Sequence, residues 1–240
     1  MKTFFISSDI HSFYKEWMNS LKEAGFDKLN KDHYLIVLGD LFDRGDEPDK
    51  IISFIKEMDT RAILIRGNHE DLFESLVERG LPDTIDYYNG TYDTLTKLFN
   101  KPMITIDEYK NSDLYKYVIS KMVDYIESDH YIFTHGFIPI IDDGSSYKYD
   151  PSWRASHTKK WENARWLNGM EYGETYIKDF NGLNKKIVVG HYTTEYGHKV
   201  YENDYSNNHN IFYGNNVIAL DSTTVLSKKV NVLVLKENEM

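Results

Sequence analysis

Tyr34-Leu35-Ile36-Val37-Leu38 runs directly into Gly39-Asp40-Leu41-Phe42-Asp43-Arg44-Gly45. The first five residues are apolar and partly β-branched, as in a strand buried on both faces. The next seven hold two acids, an arginine and two glycines, the composition of a sharp functional turn. The same grammar recurs along the chain. Thr3–Ser7 leads to Asp9-Ile10-His11, and Ala62–Ile65 to Arg66-Gly67-Asn68-His69-Glu70. Tyr131–Thr134 leads to His135-Gly136, and Ile187–Val189 to Gly190-His191. In open α/β sheets the loops at the carboxyl ends of strands converge on the ligand site. Five such loops each carry a metal-competent residue, and in four of them a glycine beside it lets the backbone bring that residue close to a shared centre.

Helical periodicity lies between the early strands. Phe13–Ala24 puts Trp17, Met18, Leu21 and Ala24 on one stripe, and Gly25 ends it. Pro48–Met58 begins with proline in the first turn, and Glu70–Arg79 stops at Gly80. This β-α-β-α order predicts a sheet covered by helices. From Leu81 to Asp129 no strand is expected. Thr91–Asn100 and Asp113–Glu127 read as helices, so residues 81–129 read as a helical insertion. Asp142–Pro151 reads as a surface loop, and Val217–Leu220 with Val230–Leu235 as a hairpin across Ser227-Lys228-Lys229. The aromatic-rich stretch from Tyr147 to Tyr176 reads as packing more than as a ligand platform. No linker or repeat interrupts residues 1–240, which predicts a single domain.

Bulk composition narrows the chemistry. The chain has no cysteine, which excludes thiolate catalysis and sulfur-held metals and leaves oxygen and imidazole as ligands. A net charge of −10 argues against a nucleic-acid partner. No apolar run is long enough for a secretory signal or a membrane span, so a cytoplasmic protein without a membrane partner is expected.

Carboxylates, imidazoles and an amide carbonyl suit divalent manganese, iron or zinc. Two such ions about 3.5–4 Å apart clamp an in-line displacement at phosphorus, and they need a bridging carboxylate, for which Asp40 is the candidate.

Taken together, Asp9-x-His11, Gly39-Asp40-x-x-Asp43-Arg44-Gly45, Gly67-Asn68-His69-Glu70, His135-Gly136 and Gly190-His191 resemble the calcineurin-like metallophosphoesterase superfamily. The second and third blocks resemble its phosphoprotein-phosphatase branch, with small bacterial and phage Ser/Thr phosphatases and diadenosine tetraphosphatases. The resemblance implies an α+β fold, a four-layer αββα sandwich with two mixed β-sheets. It implies a hydrolase with a dinuclear metal centre. Asp9, His11 and Asp40 would hold the first ion, and Asp40, Asn68, His135 and His191 the second. The two divalent ions would be manganese before iron, zinc, cobalt or nickel.

The resemblance further implies that His69 protonates the leaving oxygen while Asp43 orients it. Arg44 would bind substrate phosphate as a bidentate fork, and Arg165, with Arg154 behind it, would be the second phosphate arginine. Arg66 reads as a structural ion pair at least as readily. A metal-bridging hydroxide would attack phosphorus in line. Hydrolysis of phosphomonoesters, a Ser/Thr phosphoprotein among them, is the first expectation. Hydrolysis of diadenosine tetraphosphate or another nucleotide, or of a phosphodiester, is the alternative, and an inactive metal-binding scaffold the non-enzymatic one. Substrate choice is expected to lie in residues 81–129 and 142–180.

Two positions depart from the family's pattern. Ser12 stands where a glycine is common and reads as a cap for the next helix. Thr193 stands where many relatives outside the phosphatase branch have a further histidine. His33, His130, His157 and His209 read as ordinary structural histidines, as does His198.

Overall fold

The computed structural model describes residues 1–177 and 183–240. Strands β1 (Thr3–Ser7), β2 (His33–Leu38) and β3 (Ala62–Ile65) pair in parallel, each buried over its carboxyl-terminal half. Helices α1 (Tyr14–Glu23) and α2 (Pro48–Met58) make the crossovers, and α3 (Asn68–Arg79) follows β3. The next segment holds α4 (Thr84–Asn89), α5 (Thr91–Phe99) and α6 (Ile106–Asn111). Then come β4 (Tyr125–Glu127), β5 (Tyr131–Thr134), the hairpin β6 (Ile140–Asp142) and β7 (Tyr147–Tyr149), and α7 (Thr158–Ala164) with the short α8 (Gly169–Glu171). Strand β8 (Lys186–Val189), α9 (Thr194–Tyr201), β9 (Phe212–Tyr213), β10 (Val217–Ala219), α10 (Thr224–Ser227) and β11 (Leu233–Lys236) close the chain.

One sheet has the order β11-β1-β2-β3 and the other β4-β5-β8-β10-β9. The first is parallel except for its antiparallel edge strand β11, and the second has a parallel centre with antiparallel strands at both edges, so both are mixed. Three apolar layers account for the stacking. Ile6, Ile36, Leu38, Phe133, Val188 and Leu220 fill the space between the sheets. Trp17, Ile51, Phe54 and Phe73 pack helices onto the outer face of the first sheet, and Trp153, Trp161 and Met170 do so for the second. Burying each such side chain stabilises by about 1.5–3 kcal/mol. Helix, sheet, sheet and helix make four layers, as expected.

Three sequence expectations fail. The chain after Ala219 does not turn back as a hairpin: β10 joins one sheet, whereas β11 pairs antiparallel with β1 in the other. Ser227 ends α10 and Lys228 takes a left-handed φ of 53°, redirecting the chain between layers. Asp113–Glu127 is not one helix but two irregular helical turns over Leu114–Lys121 and then β4. Val123 anchors that change, donating its N–H to the Leu64 carbonyl (3.0 Å) and accepting from Arg66 N–H (2.9 Å). Asp142–Pro151 contains part of a hairpin, with Asp143 accepting the Ser145 and Ser146 N–H groups in its turn. In the first two cases a distant strand or layer decides the backbone, which local periodicity does not record, whereas the third is a short local hairpin held by its own turn.

Packing, as expected, is the main use of the aromatic-rich stretch. Trp153 and Trp161 are buried, and Tyr125 stacks on Trp161 at 5.2 Å, while Trp166 stays half exposed. No helix among the described residues is long and apolar enough to cross a membrane.

The edge strand β4 is fastened by charge. Glu127 accepts from Arg154 at 2.7 and 2.6 Å and from Lys185 at 2.7 Å. The Arg154 hydrogen bond, outweighing burial and helped by Lys185, holds the Glu127 carboxyl down at about 2. A depressed carboxyl stabilises the fold above its unfolded value of about 4.3, and that contribution disappears as pH falls through about 2. Glu127→Gln is expected to lower Tm by about 2–4 °C at pH 7, the size of about 1 kcal/mol in a chain this long. Calorimetry at descending pH is expected to show that difference shrinking between pH 5 and pH 2.

Candidate metal centre

The parallel strands aim their carboxyl ends at one point, and left-handed backbone turns the next residues inward. Asp9, His11, Asp40, Asp43, Arg44 and His191 all have φ between 50° and 72°. Such values are uncommon for residues with a Cβ and cluster where structure holds them for function. Gly67 allows a close approach of two loops: a Cβ there would lie 2.5 Å from the Asp40 nitrogen.

Asp40 is the hub. Its Oδ1 accepts the His69 N–H at 3.0 Å and lies 3.4 Å from His135 Nε2. Its Oδ2 lies 3.8 Å from His11 Nε2 and 3.9 Å from His69 Nε2. Two sets of ligand atoms therefore share Asp40: one with His11 and His69, one with His135 and His191, each within 4.8 Å. His11 Nδ1 donates to the Phe42 carbonyl at 2.9 Å, and His135 Nδ1 to the Leu38 carbonyl at 2.6 Å. Since a carbonyl only accepts, both Nε2 atoms are free to face the centre as ligands. His135 Nε2 also meets Asn68 Oδ1 at 2.8 Å. Asp9 stands outside both sets but is tied to them, its Oδ2 accepting the Ser8 hydroxyl and the His191 N–H at 2.9 Å.

Electrostatics favours a cation here. Burial and the Asp221 charge push the Asp9 carboxyl well above its usual range. Burial opposes ionisation of Asp40, yet His135 and His69 hold it well below. Burial pulls the His135 imidazole down, but Asp40 carries it up to about 10. Burial and His135 take the His191 imidazole down to about 4. Several buried carboxylates facing imidazoles form a strained charge set that divalent ions compensate, and the donors are all nitrogen and oxygen. The residues fit divalent metal ions.

Beside the hub, His69 Nδ1 donates to Asp43 Oδ2 at 2.6 Å. Arg44 lays its fork across the site, Nη1 2.9 Å from His11 Nε2 and Nη2 3.1 Å from His69 Nε2. Arg165 is farther out and already engaged: Nη1 donates to Asp71 at 2.6 Å, and Nη2 to Asp124. It lines a cavity of about 700 Å³ that also reaches Asn68 and Trp166. Arg154 belongs to the Glu127 network and stacks over Trp153 at 4.5 Å. Arg66 pairs with Asp71 and Glu74, as an ion pair in the cavity wall.

Thr193 caps α9 and accepts the Thr223 hydroxyl at 2.7 Å. Ser12 does not cap the next helix, contrary to expectation: α1 has no side-chain cap, and the buried Ser12 hydroxyl has no hydrogen-bond partner among the described residues. His198 is held by Glu202 and the Asn210 carbonyl, a structural histidine as read.

Sequence reasoning passed over three features. Glu70 is buried and accepts the N–H groups of Asp40 (3.0 Å), Leu41 (2.9 Å) and Gly67 (2.9 Å), welding two loops together. Asp221 follows β10 and is raised to about 6 by burial, with Asp40 pushing the same way. The rule that found five strand-end loops would have found this sixth after Val217–Leu220. Thr91 and Thr94 of α5 reach Asp43, and no motif signals them.

The fold and this constellation define a metallophosphoesterase scaffold, and the chain belongs to the calcineurin-like phosphoesterase family, whose sequence pattern matches residues 2–220. It is similar to a symmetrical bis(5′-nucleosyl)-tetraphosphatase of Buchnera aphidicola subsp. Acyrthosiphon pisum (strain 5A), 35% identical over 83 residues. That match covers 35% of this chain and 29% of the relative. A Nitrosospira multiformis protein of the same description is 31% identical over 94 residues, covering 39% of this chain and 31% of that one. The chain thus spans about a third of the length of these curated relatives.

Among solved structures, a cold-active protein-tyrosine phosphatase of a psychrophilic Shewanella species superposes with a TM-score of 0.63 at 19% identity. The match covers 99% of this chain and 76% of that one. A protein serine/threonine phosphatase from Saccharomyces cerevisiae gives 0.56 at 13% identity, covering 92% and 67%. At these identities the likeness is one of fold.

Proposed function

We propose that this chain is a metal-dependent phosphoesterase that hydrolyses phosphomonoesters, phosphorylated Ser/Thr side chains among them. The observation that carries the reading is the sharing of Asp40 between His11 on one side and His135 with His191 on the other. In this reading Asp9, His11 and Asp40 hold one ion, and Asp40, Asn68, His135 and His191 the second. Manganese is the first choice, ahead of iron, zinc, cobalt or nickel. When bound, such ions supply Lewis acidity that lowers the pKa of water and offsets phosphoryl charge.

The chain's own residues do the rest. The Arg44 fork takes two phosphate oxygens. Asp43 holds the His69 Nδ1–H, which leaves Nε2 to give a proton to the leaving oxygen. Burial lowers the His69 imidazole's proton affinity, but Asp40 and Asp43 outweigh it and raise the net value, favouring the acid form. Arg165 serves phosphate only by exchanging Asp71 or Asp124 for it.

A second reading, hydrolysis of dinucleoside polyphosphates, is favoured by the names of the curated relatives. The cavity beside Asn68 favours the first. Its arginines Arg66 and Arg165 are already neutralised by Asp71, Glu74 and Asp124, its Lys159 is paired with Glu162, and Glu78 adds further negative charge to the lining. A polyphosphate chain would meet like charge there, whereas a neutral or basic peptide would not. With manganese present, a phosphopeptide with basic flanks is expected to exceed diadenosine tetraphosphate in kcat/KM by about tenfold or more, or about 1.4 kcal/mol. Preference for the tetraphosphate in that comparison would install the second reading. Failure to hydrolyse these or 4-nitrophenyl phosphate would leave the metal-binding scaffold.

A further inference from the structure

Helix α5 presents Thr91, Thr94 and Lys97 to a single loop. Residues three apart lie on one helix face, so the three side chains form a short column. The Thr91 hydroxyl donates to Asp43 Oδ2 at 2.8 Å, and Thr94 Oγ1 accepts the Asp43 N–H at 3.1 Å. Lys97 donates to the Gly45 carbonyl at 3.0 Å and to Asp46 Oδ1 at 2.7 Å. The column therefore spans the loop from Asp43 to Asp46.

That loop needs an external hold. Asp43 and Arg44 have φ of 72° and 61°, conformations that non-glycine residues adopt only when surroundings impose them. The turn before α5 presses directly on it: at Gly90, with φ of 84°, a Cβ would lie 2.8 Å from the Arg44 nitrogen. Thr91 is fully buried. Asp43 Oδ2 receives both the Thr91 hydroxyl and His69 Nδ1–H, while Oδ1 is buried without a hydrogen-bond partner among the described residues. Among the described residues, the side-chain hydrogen bonds that set the rotation of this carboxylate come from Thr91 and His69.

We propose that Thr91 is a positioning residue. Through it, α5 keeps Asp43 Oδ2 trained on His69, so that the imidazole meets the leaving oxygen in one orientation. The proposal rests on the reading of His69 as the acid, and it makes the helical segment a working part of the site.

The test uses the full chain loaded with manganese and two substrates. Phenyl phosphate has a poor leaving group that needs a proton, whereas 4-nitrophenyl phosphate needs one far less. Thr91→Val keeps the volume and removes the donor. It is expected to lower kcat for phenyl phosphate by about tenfold or more, within the range a general acid supplies. KM and kcat for 4-nitrophenyl phosphate are expected to stay within about twofold, since metal and phosphate contacts are untouched. Thr91→Ser restores the hydroxyl and is expected to recover most of the loss. Thr91→Ala supplies the same comparison where the valine variant does not accumulate folded.

Unchanged turnover of phenyl phosphate in Thr91→Val would overturn the proposal. So would an equal loss on both substrates without rescue by serine, which marks a purely structural role. His69→Ala run alongside separates the two layers. Selectivity in His69→Ala without selectivity in Thr91→Val rejects only the Thr91 assignment; no selectivity in His69→Ala rejects the acid reading beneath it.

Discussion

Asp40→Asn is expected to abolish retained metal and to lower kcat/KM by about 10³-fold or more, the scale of losing a preorganised electrostatic contact. The fold is expected to survive. Asp40 Oδ1 accepts the His69 N–H, and the amide oxygen of asparagine serves that bond equally well. What disappears is the charge shared by the two ligand sets. With it goes the largest influence holding the His135 imidazole up at about 10 against burial. Metal content after gel filtration, circular dichroism and turnover of 4-nitrophenyl phosphate measure the three consequences together. Two retained ions per chain in a folded Asp40→Asn protein would contradict the bridging assignment.

His69→Ala carries the second large effect. Turnover of a poor leaving group is expected to fall by about 10²–10⁴-fold, the usual contribution of a positioned general acid. The loss on 4-nitrophenyl phosphate is expected to be smaller, and metal content equal to that of the parent protein. The geometry makes metal content decisive, because His69 Nε2 is within ligand range of the same Asp40 and His11 atoms as a metal site would use. Loss of an ion in His69→Ala would reassign this histidine as a ligand. Its hydrogen bond to Asp43 favours the acid role, since that bond turns Nε2 toward the centre and stabilises the charged imidazole.

The strand-and-turn grammar carried most of the fold because buried parallel strands are continuous apolar runs whose ends need glycine and polar residues. β1, β2, β3, β5 and β8 lie within a residue or so of where their runs begin and end. The parts that were not legible depend on partners far away in the chain. β4 exists because β5 offers it an edge while Val123, just before it, is held to the end of β3, and β11 crosses to the other sheet because β1 has a free edge. The site divides in the same way. Asp40, His11, His135 and His191 announce themselves by residue type at strand ends. Thr91 is an unremarkable helix residue until the fold brings it to Asp43, and Arg165 looks like a free cation until Asp71 and Asp124 are seen around it. Of the 142–180 stretch expected to govern substrate choice, residues 178–180 lie outside the described residues.

Crystals grown with manganese, with diffraction recorded near its absorption edge, show whether one chain holds two divalent ions bridged by Asp40. Two anomalous peaks about 3.5–4 Å apart are expected, with the Asp40 carboxylate between them. His11 and Asp9 are expected on one side, and Asn68, His135 and His191 on the other. A single peak, or peaks away from Asp40, would contradict that arrangement.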